Sequence, residues 1–221
     1  MKTASLRATL LRATMIRGTL PRTALLLAAL LAAPAVRAQG AAADLFRQSY
    51  AAETRGDFTS ALELMEKLGP AGNGYVGVLR KGWLHYLAGR HAQAATAYQK
   101  AAALEPAAVE PRLGAMLPLM ALRRWKDAER LGGEALLLAP NDFTAVSRLA
   151  WIHYSQLQYA EAEPLYRRAV AAWPANAEMH TGLGWTLLKL GRNREAREAF
   201  EAVLAFAPDQ LSAREGLGQV P

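Results

Sequence analysis

Five alanines, Ala61, Ala94, Ala128, Ala162 and Ala196, fall at intervals of 33, 34, 34 and 34 residues. A fixed period of this length means one supersecondary unit copied end to end, and it constrains the chain more than composition does. The clearest copy occupies residues 177–210. Two runs there carry apolar or small residues at steps of three and four, the pattern of amphipathic helices, around a turn at Gly191, Arg192 and Asn193. The first run holds Leu183 and Gly184, the second Ala196 and Phe200, and Pro208 closes the unit. The same slots hold Leu149, Ala150, Ala162, Tyr166 and Pro174 in residues 143–176. They hold Ala115, Met116, Ala128, Gly132 and Pro140 in residues 109–142, and Gly82, Ala94, Tyr98 and Pro106 in residues 75–108. A weaker copy over residues 42–74 has Ser49, Ala61 and Met65.

Each slot has a physical use. Small residues such as Gly184 and Ala196 let the two helices of a unit cross closely, and a ring such as Phe200 or Tyr166 fills the wider gap one turn on. The prolines end the second helices, because proline has no N–H for the ladder and restricts the residue before it. One hairpin cannot bury its apolar face alone; stacked hairpins bury a continuous core. Residues 211–218 match the first half of a further unit and predict a short helix that caps the last apolar face.

The period, the Leu-Gly pair, the alanine, the ring and the closing proline together resemble the tetratricopeptide repeat family over about residues 42–208. The resemblance implies an all-α, right-handed superhelical solenoid of antiparallel helix pairs, about five repeats plus a C-terminal capping helix. Met116 and Gly132 depart from the pattern in repeat three, so its packing is the least constrained. Pro118 lies inside the first helix of that repeat and predicts a kink there. Pro164 is expected near the start of its helix, a mild position if it falls in the first turn. The glycine-rich stretch 69–74 reads as a loose connector and a hinge.

The chain has 221 residues, 52% of them hydrophobic, and a formal charge of +7. The charge is unevenly placed. Residues 1–38 contain Lys2, Arg7, Arg12, Arg17, Arg22 and Arg37 and no acid, so the remainder is nearly neutral. The basic balance therefore belongs to a leader, and no nucleic-acid partner is expected. That leader has a basic start, an apolar stretch at residues 23–36, too short to span a bilayer, and Val36-Arg37-Ala38 as a cleavage signal. The expected product is a secreted or periplasmic protein beginning at Gln39. Met15 is an alternative start; a mitochondrial transit peptide and an uncleaved membrane anchor are rival readings of the leader. With no cysteine in the chain, neither a disulfide framework nor a lipidated cysteine is available.

Catalytic and metal motifs are thin. Gly72-Asn73-Gly74-Tyr75-Val76-Gly77 matches G-x-G-x-x-G, but a dinucleotide site needs a strand before it, and here a helix precedes. His85 and His153 stand 68 residues apart, two periods, so they fill one slot in alternate repeats and do not converge on a metal. Both read as packing residues with one satisfied nitrogen. Neither a G-x-S-x-G elbow nor H-E-x-x-H occurs. The acids and arginines of the second helices read as solvated i,i+4 pairs. No catalytic residue, cofactor or metal is expected.

An aromatic ladder is the stronger signal. Trp83, Trp151 and Trp185 share one slot of the first helices; Tyr50 and Leu117 hold its other copies, and Tyr86 and Tyr154 lie three residues on. In the family this face lines the concave groove, where ligands bind. Packing between first helices and an aromatic-lined groove are both consistent with the repetition. The family members that grip a terminal carboxylate use Lys, Asn and Arg there; here the Asn position carries Trp or Leu, and Arg148 is the one groove-side basic candidate, so no such clamp is expected. The expectation is a non-catalytic scaffold or adaptor that holds a protein or peptide in its groove, in the cell envelope or a secretion assembly. A component of exopolysaccharide export that stacks glycan on the same rings is the alternative, and self-association through an end repeat is a further possibility.

Overall fold

The structure, a computed structural model, describes residues 40–221, which contain helices and no strand. The leader therefore lies outside the described residues. Helix α1 covers residues 40–54. It is followed by α2 (Phe58–Glu66), a 3-10 helix (Gly69–Asn73), α3 (Tyr75–Leu87), α4 (His91–Leu104), α5 (Glu110–Ala121) and α6 (Trp125–Leu138). Then come α7 (Phe143–Ser155), α8 (Tyr159–Ala172), α9 (Ala177–Lys189), α10 (Asn193–Phe206) and α11 (Leu211–Gln219). From α2 to α11 each helix packs on the next, and first helices also touch across repeats, α3 with α5 and so on to α9 with α11. The fold is an all-α solenoid of antiparallel helix pairs.

The turns explain the regularity. At each hairpin the second residue after the first helix is left-handed, and the next N–H reaches back five residues. Arg192 N donates to Leu187 O at 2.9 Å, Arg90 N to His85 O at 2.8 Å and Asp57 N to Ala52 O at 2.9 Å. This closure satisfies carbonyls that the helix end leaves open. Glycine takes the left-handed position at Gly56, Gly89 and Gly191, but Arg123 (φ 55°) and Leu157 (φ 63°) take it in repeats three and four. Side-chain caps then start the new helices: Asp57 accepts from Ser60 N at 3.0 Å, Asp142 from Ala145 N at 2.8 Å and Asn176 from Met179 N at 3.0 Å. Pro106, Pro140, Pro174 and Pro208 each stand two residues beyond the end of a second helix.

The five spaced alanines are all fully buried. Beside them, each ring of a second helix is seated between two first helices. A β-carbon on Gly82 or Gly114 would come within 3.0 or 2.4 Å of the Tyr98 ring. One on Gly184 or Gly216 would come within 2.6 or 2.3 Å of Phe200. Repeat three reverses the sizes: a β-carbon on Gly132 would meet Leu149 at 2.8 Å and Met116 at 2.9 Å. The two departures from the pattern therefore compensate, long flexible side chains filling from both sides the space a ring fills elsewhere.

Three local expectations are corrected. The stretch expected as a loose hinge is a 3-10 turn held tight against its neighbours: a β-carbon on Gly72 would lie 2.6 Å from Met65 O, and one on Gly77 would lie 2.6 Å from Gly72 O. Backbone here touches backbone, and the glycines make that approach possible. Pro164 is the sixth residue of α8, past its first turn. The hydrogen bond it forgoes is the one to the carbonyl of Ala160, and both residues are on the exposed face of the helix. The capping helix runs one residue further than expected, to Gln219, and buries Ala213 and Gly216 under the last repeat.

Candidate binding groove

Two recesses open along the first-helix side. The larger, about 670 Å³, is lined by Trp151 and Tyr154 of α7, Tyr166 of α8, Met179 and Trp185 of α9 and Ser212 of α11, among others. The smaller, about 370 Å³, is lined by Tyr50 and Glu53 of α1, Arg80 and Trp83 of α3, Tyr98 of α4 and Gly114 of α5, among others. Of the residues expected in the groove, the first recess gathers Trp151, Tyr154 and Trp185, and the second gathers Tyr50 and Trp83. Tyr86, Leu117 and Arg148 line neither; all three are half-buried on the helices between.

The ladder is not uniform. Trp185 is anchored: its indole donates to Ser212 Oγ at 2.9 Å and its ring meets Phe200 edge-on at 5.5 Å. Trp83 donates to Glu53 Oε1 at 2.7 Å and stacks obliquely on Tyr86 at 5.8 Å. Trp151 leans on Trp125 at 5.6 Å and keeps 45% of its surface exposed, so a large apolar face is left open to the recess. Tyr86 and Tyr154 each lean on the opening residue of the next helix, His91 at 5.6 Å and Tyr159 at 5.3 Å. Packing and lining are thus shared within one slot, which its repetition could not reveal.

Sequence reasoning missed Tyr98 and Tyr166 as groove residues because they sit in the packing slot of the second helices. Each ring is buried, yet each residue also lines a recess. Burial pushes the Tyr98 phenol up to about 12 and raises that of Tyr166 as well. The useful signal was chemical: a packing ring that is Tyr rather than Phe has a polar end to place.

Arg80 and Arg148 occupy one slot, two periods apart, and differ. Arg80 Nη1 donates to Glu53 Oε2 at 2.7 Å, Nε and Nη2 reach Ser49 Oγ at 3.2 and 3.1 Å, and the guanidinium lies 3.5 Å from the Tyr50 ring centre. Arg148 has one bond, Nη1 to Leu113 O at 2.5 Å. Burial pulls its pKa down from the ordinary arginine value, with Tyr86 and Tyr98 the nearest opposing influences.

Away from the groove, the acids and arginines of the second helices do more than pair along one helix. Arg167 bonds Glu163 at 2.7 Å and Glu195 at 2.8 Å, and Arg192 bonds Glu163 at 2.5 Å and Glu195 at 2.6 Å, so the four groups tie α8 to α10. Burial works against the Glu163 charge, but bonds from Arg167 and Arg192 hold its pKa below the ordinary value. His153 Nδ1 meets Gln158 Oε1 at 2.9 Å, as expected, whereas His85 Nδ1 is buried without a partner, and burial, then Arg90, lowers the His85 pKa. Among the described residues no group of three or more His, Cys, Asp or Glu is placed to hold a metal, and no helix is long and apolar enough to cross a membrane.

Stacked helix hairpins with ring-lined recesses along one face define a helical-repeat solenoid protein. Tetratricopeptide repeat models match residues 78–108, 119–177 and 153–218, and the chain belongs to the tetratricopeptide repeat family. Among solved structures, MamA (residues 41 to the end) from Desulfovibrio magneticus RS-1 superposes with a TM-score of 0.70 at 20% identity, covering 77% of this chain and 97% of MamA. A tetratricopeptide repeat protein from Parabacteroides merdae gives 0.72 at 16% identity, covering 82% of this chain and 72% of its own. YrrB, described as a TPR protein with an unusual peptide-binding site, gives 0.60 at 22% identity over 73% of this chain and 80% of its own. The Arabidopsis thaliana CTR9 homolog is 33% identical over 81 residues, 36% of this chain and 7% of that protein, so the chain spans a small part of this relative's length.

Proposed function

We propose that this protein is a non-catalytic scaffold that holds an extended peptide segment of a partner protein along its first-helix face. One observation carries the reading: Trp151 presents an exposed ring face to a recess of about 670 Å³, between the anchored Trp185 and the half-buried Tyr154. A rigid, half-exposed tryptophan in an apolar recess loses little freedom when a partner covers it, and such residues dominate interface energetics. The peptide-binding site named for YrrB supports the same assignment. The leader, with its signal for cleavage after Ala38, supports work in the cell envelope or a secretion assembly. N-terminal sequencing of the mature protein tests that part, with Gln39 as the expected first residue.

The binding test is a synthetic array of N-acetylated, C-amidated 12-residue peptides, read with the full chain and with Trp151→Ala. Peptide binding weakened at least tenfold by Trp151→Ala, with the melting curve unchanged, supports the reading. Equal binding by both proteins refutes it. A second reading, glycan stacking during exopolysaccharide export, draws on Gln210, Ser212 and Gln219 beside the rings. Trp fluorescence quenched by an oligosaccharide panel, with no peptide bound, would favour it.

A further inference from the structure

Beyond repeat one, the slot that holds Arg80 and Arg148 holds glycine in the remaining units: Gly114, Gly182 and Gly216. Each of those glycines receives a ring from the preceding second helix, Tyr98, Tyr166 or Phe200. The arginines stand where the preceding helix has no ring, after Met65 and after Gly132. Both arginines thus follow from the packing. Their neutralisation does not.

Arg80 is a finished structural group: a carboxylate, a hydroxyl and a ring surround its guanidinium. In the frame of Arg148, the positions of Ser49, Tyr50 and Glu53 are occupied by Met116, Leu117 and Met120. No ion pair joins Arg148 to a carboxylate among the described residues. The acid that precedes it on the same chain segment, Asp142, is committed to capping α7 through Ala145 N. A half-buried guanidinium with one carbonyl partner keeps its charge, because arginine does not deprotonate in proteins, and that charge has lost solvent without gaining a counter-ion.

We infer that Arg148 binds the side-chain carboxylate of an Asp or Glu in the segment held along this face, placing it where Glu53 stands for Arg80. The inference rests on the groove reading and gives that groove its ligand chemistry. A side chain rather than a chain end fits, because recesses lie to both sides. One is lined by Trp83 and Gly114 and the other by Trp151 and Trp185, so a segment passing Arg148 has apolar pockets for its flanks. The recognised sequence is therefore an acid between apolar or aromatic residues. The planar guanidinium suits two-point bonding to a carboxylate.

The test uses the full chain and C-amidated peptides, so that every carboxylate read belongs to a side chain. Array binders are expected to share one Asp or Glu flanked by apolar residues. Changing that Glu to Gln should weaken binding by about tenfold or more, as loss of a charge-assisted bond does. The Glu preference should vanish in Arg148→Gln. It should vanish too in Met120→Glu, which supplies an internal carboxylate at the Glu53-equivalent place and leaves the arginine intact. Binders that ignore the Glu-to-Gln change, or keep the preference in both variants, overturn the inference and leave the groove reading standing. In a matched set of the same peptides with free C-termini, a preference for the chain-end carboxylate over the side-chain acid overturns it as well. No binding by any peptide removes the groove reading and this inference together.

Discussion

Gly182→Ala isolates the seating of rings between repeats. Gly182 lies inside α9, and a β-carbon there would sit 2.3 Å from Tyr166 Cε1 and 2.6 Å from Cζ. Carbon contacts are comfortable at about 3.5–4.0 Å, so the ring must retreat by about 1 Å or more. It has little room: Tyr166 is 4% exposed and belongs to a cluster with the fully buried Ala150, Ala162 and Ala169. Overpacking of this kind costs about 1–3 kcal/mol, against about 0.5–1 kcal/mol gained by replacing a helical glycine with alanine. The expected net loss is about 1–2 kcal/mol. Gly133→Ala is the control. Gly133 also lies inside a helix, α6, but nothing stands within 4 Å of its β-carbon position. The helical gain is unopposed there, and stability should rise by about 0.5–1 kcal/mol. Urea unfolding with unchanged slope reads both. One substitution in two helices thus moves the midpoint in opposite directions. If Gly182→Ala raises the midpoint as Gly133→Ala does, the ring is not seated on α9 and the packing argument fails.

Two further outcomes follow from particular residues. Leu157 holds φ 63° and is 70% exposed, so Leu157→Gly relieves a left-handed strain of about 1–2 kcal/mol, less about 0.5–1 kcal/mol of added unfolded-state freedom; thermal melting should show a net gain of up to about 1 kcal/mol, and a loss would contradict the turn analysis. Tyr98 keeps its proton up to about 12 when folded, against about 10 unfolded, so its contribution is intact below pH 10 and is lost as pH climbs toward 12. The Tyr98 share of the alkaline destabilisation is roughly 2–3 kcal/mol over that window, so Tyr98→Phe should reduce the loss by about that much while the part due to Tyr166 remains; an unchanged profile in the variant would assign the loss elsewhere.

Much of the fold was readable because its information is local. Apolar residues at three- and four-residue steps report a helix face, and the prolines report helix ends within a few residues. The hinge was misread because glycine clusters are ambiguous: at Gly72 and Gly77 the missing β-carbon permits close contact, not mobility. The aromatic slot was legible as a set, but the state of each ring was not. Trp185 is hydrogen-bonded to Ser212 on a later helix, whereas Trp151 only leans on Trp125, and those partners lie about one repeat away in sequence.

By itself the sequence determined a periodic string of helical hairpins, since the apolar steps and closing prolines act over a few residues and survive translation along the chain. Tertiary structure alone decided which glycine receives which ring, how Met116 and Leu149 replace a missing one, and why Arg80 is neutralised while Arg148 is not. The reason is distance along the chain. These outcomes depend on side chains some 16 to 35 residues apart meeting in space, and their shapes and charges are settled only when neighbouring repeats nest.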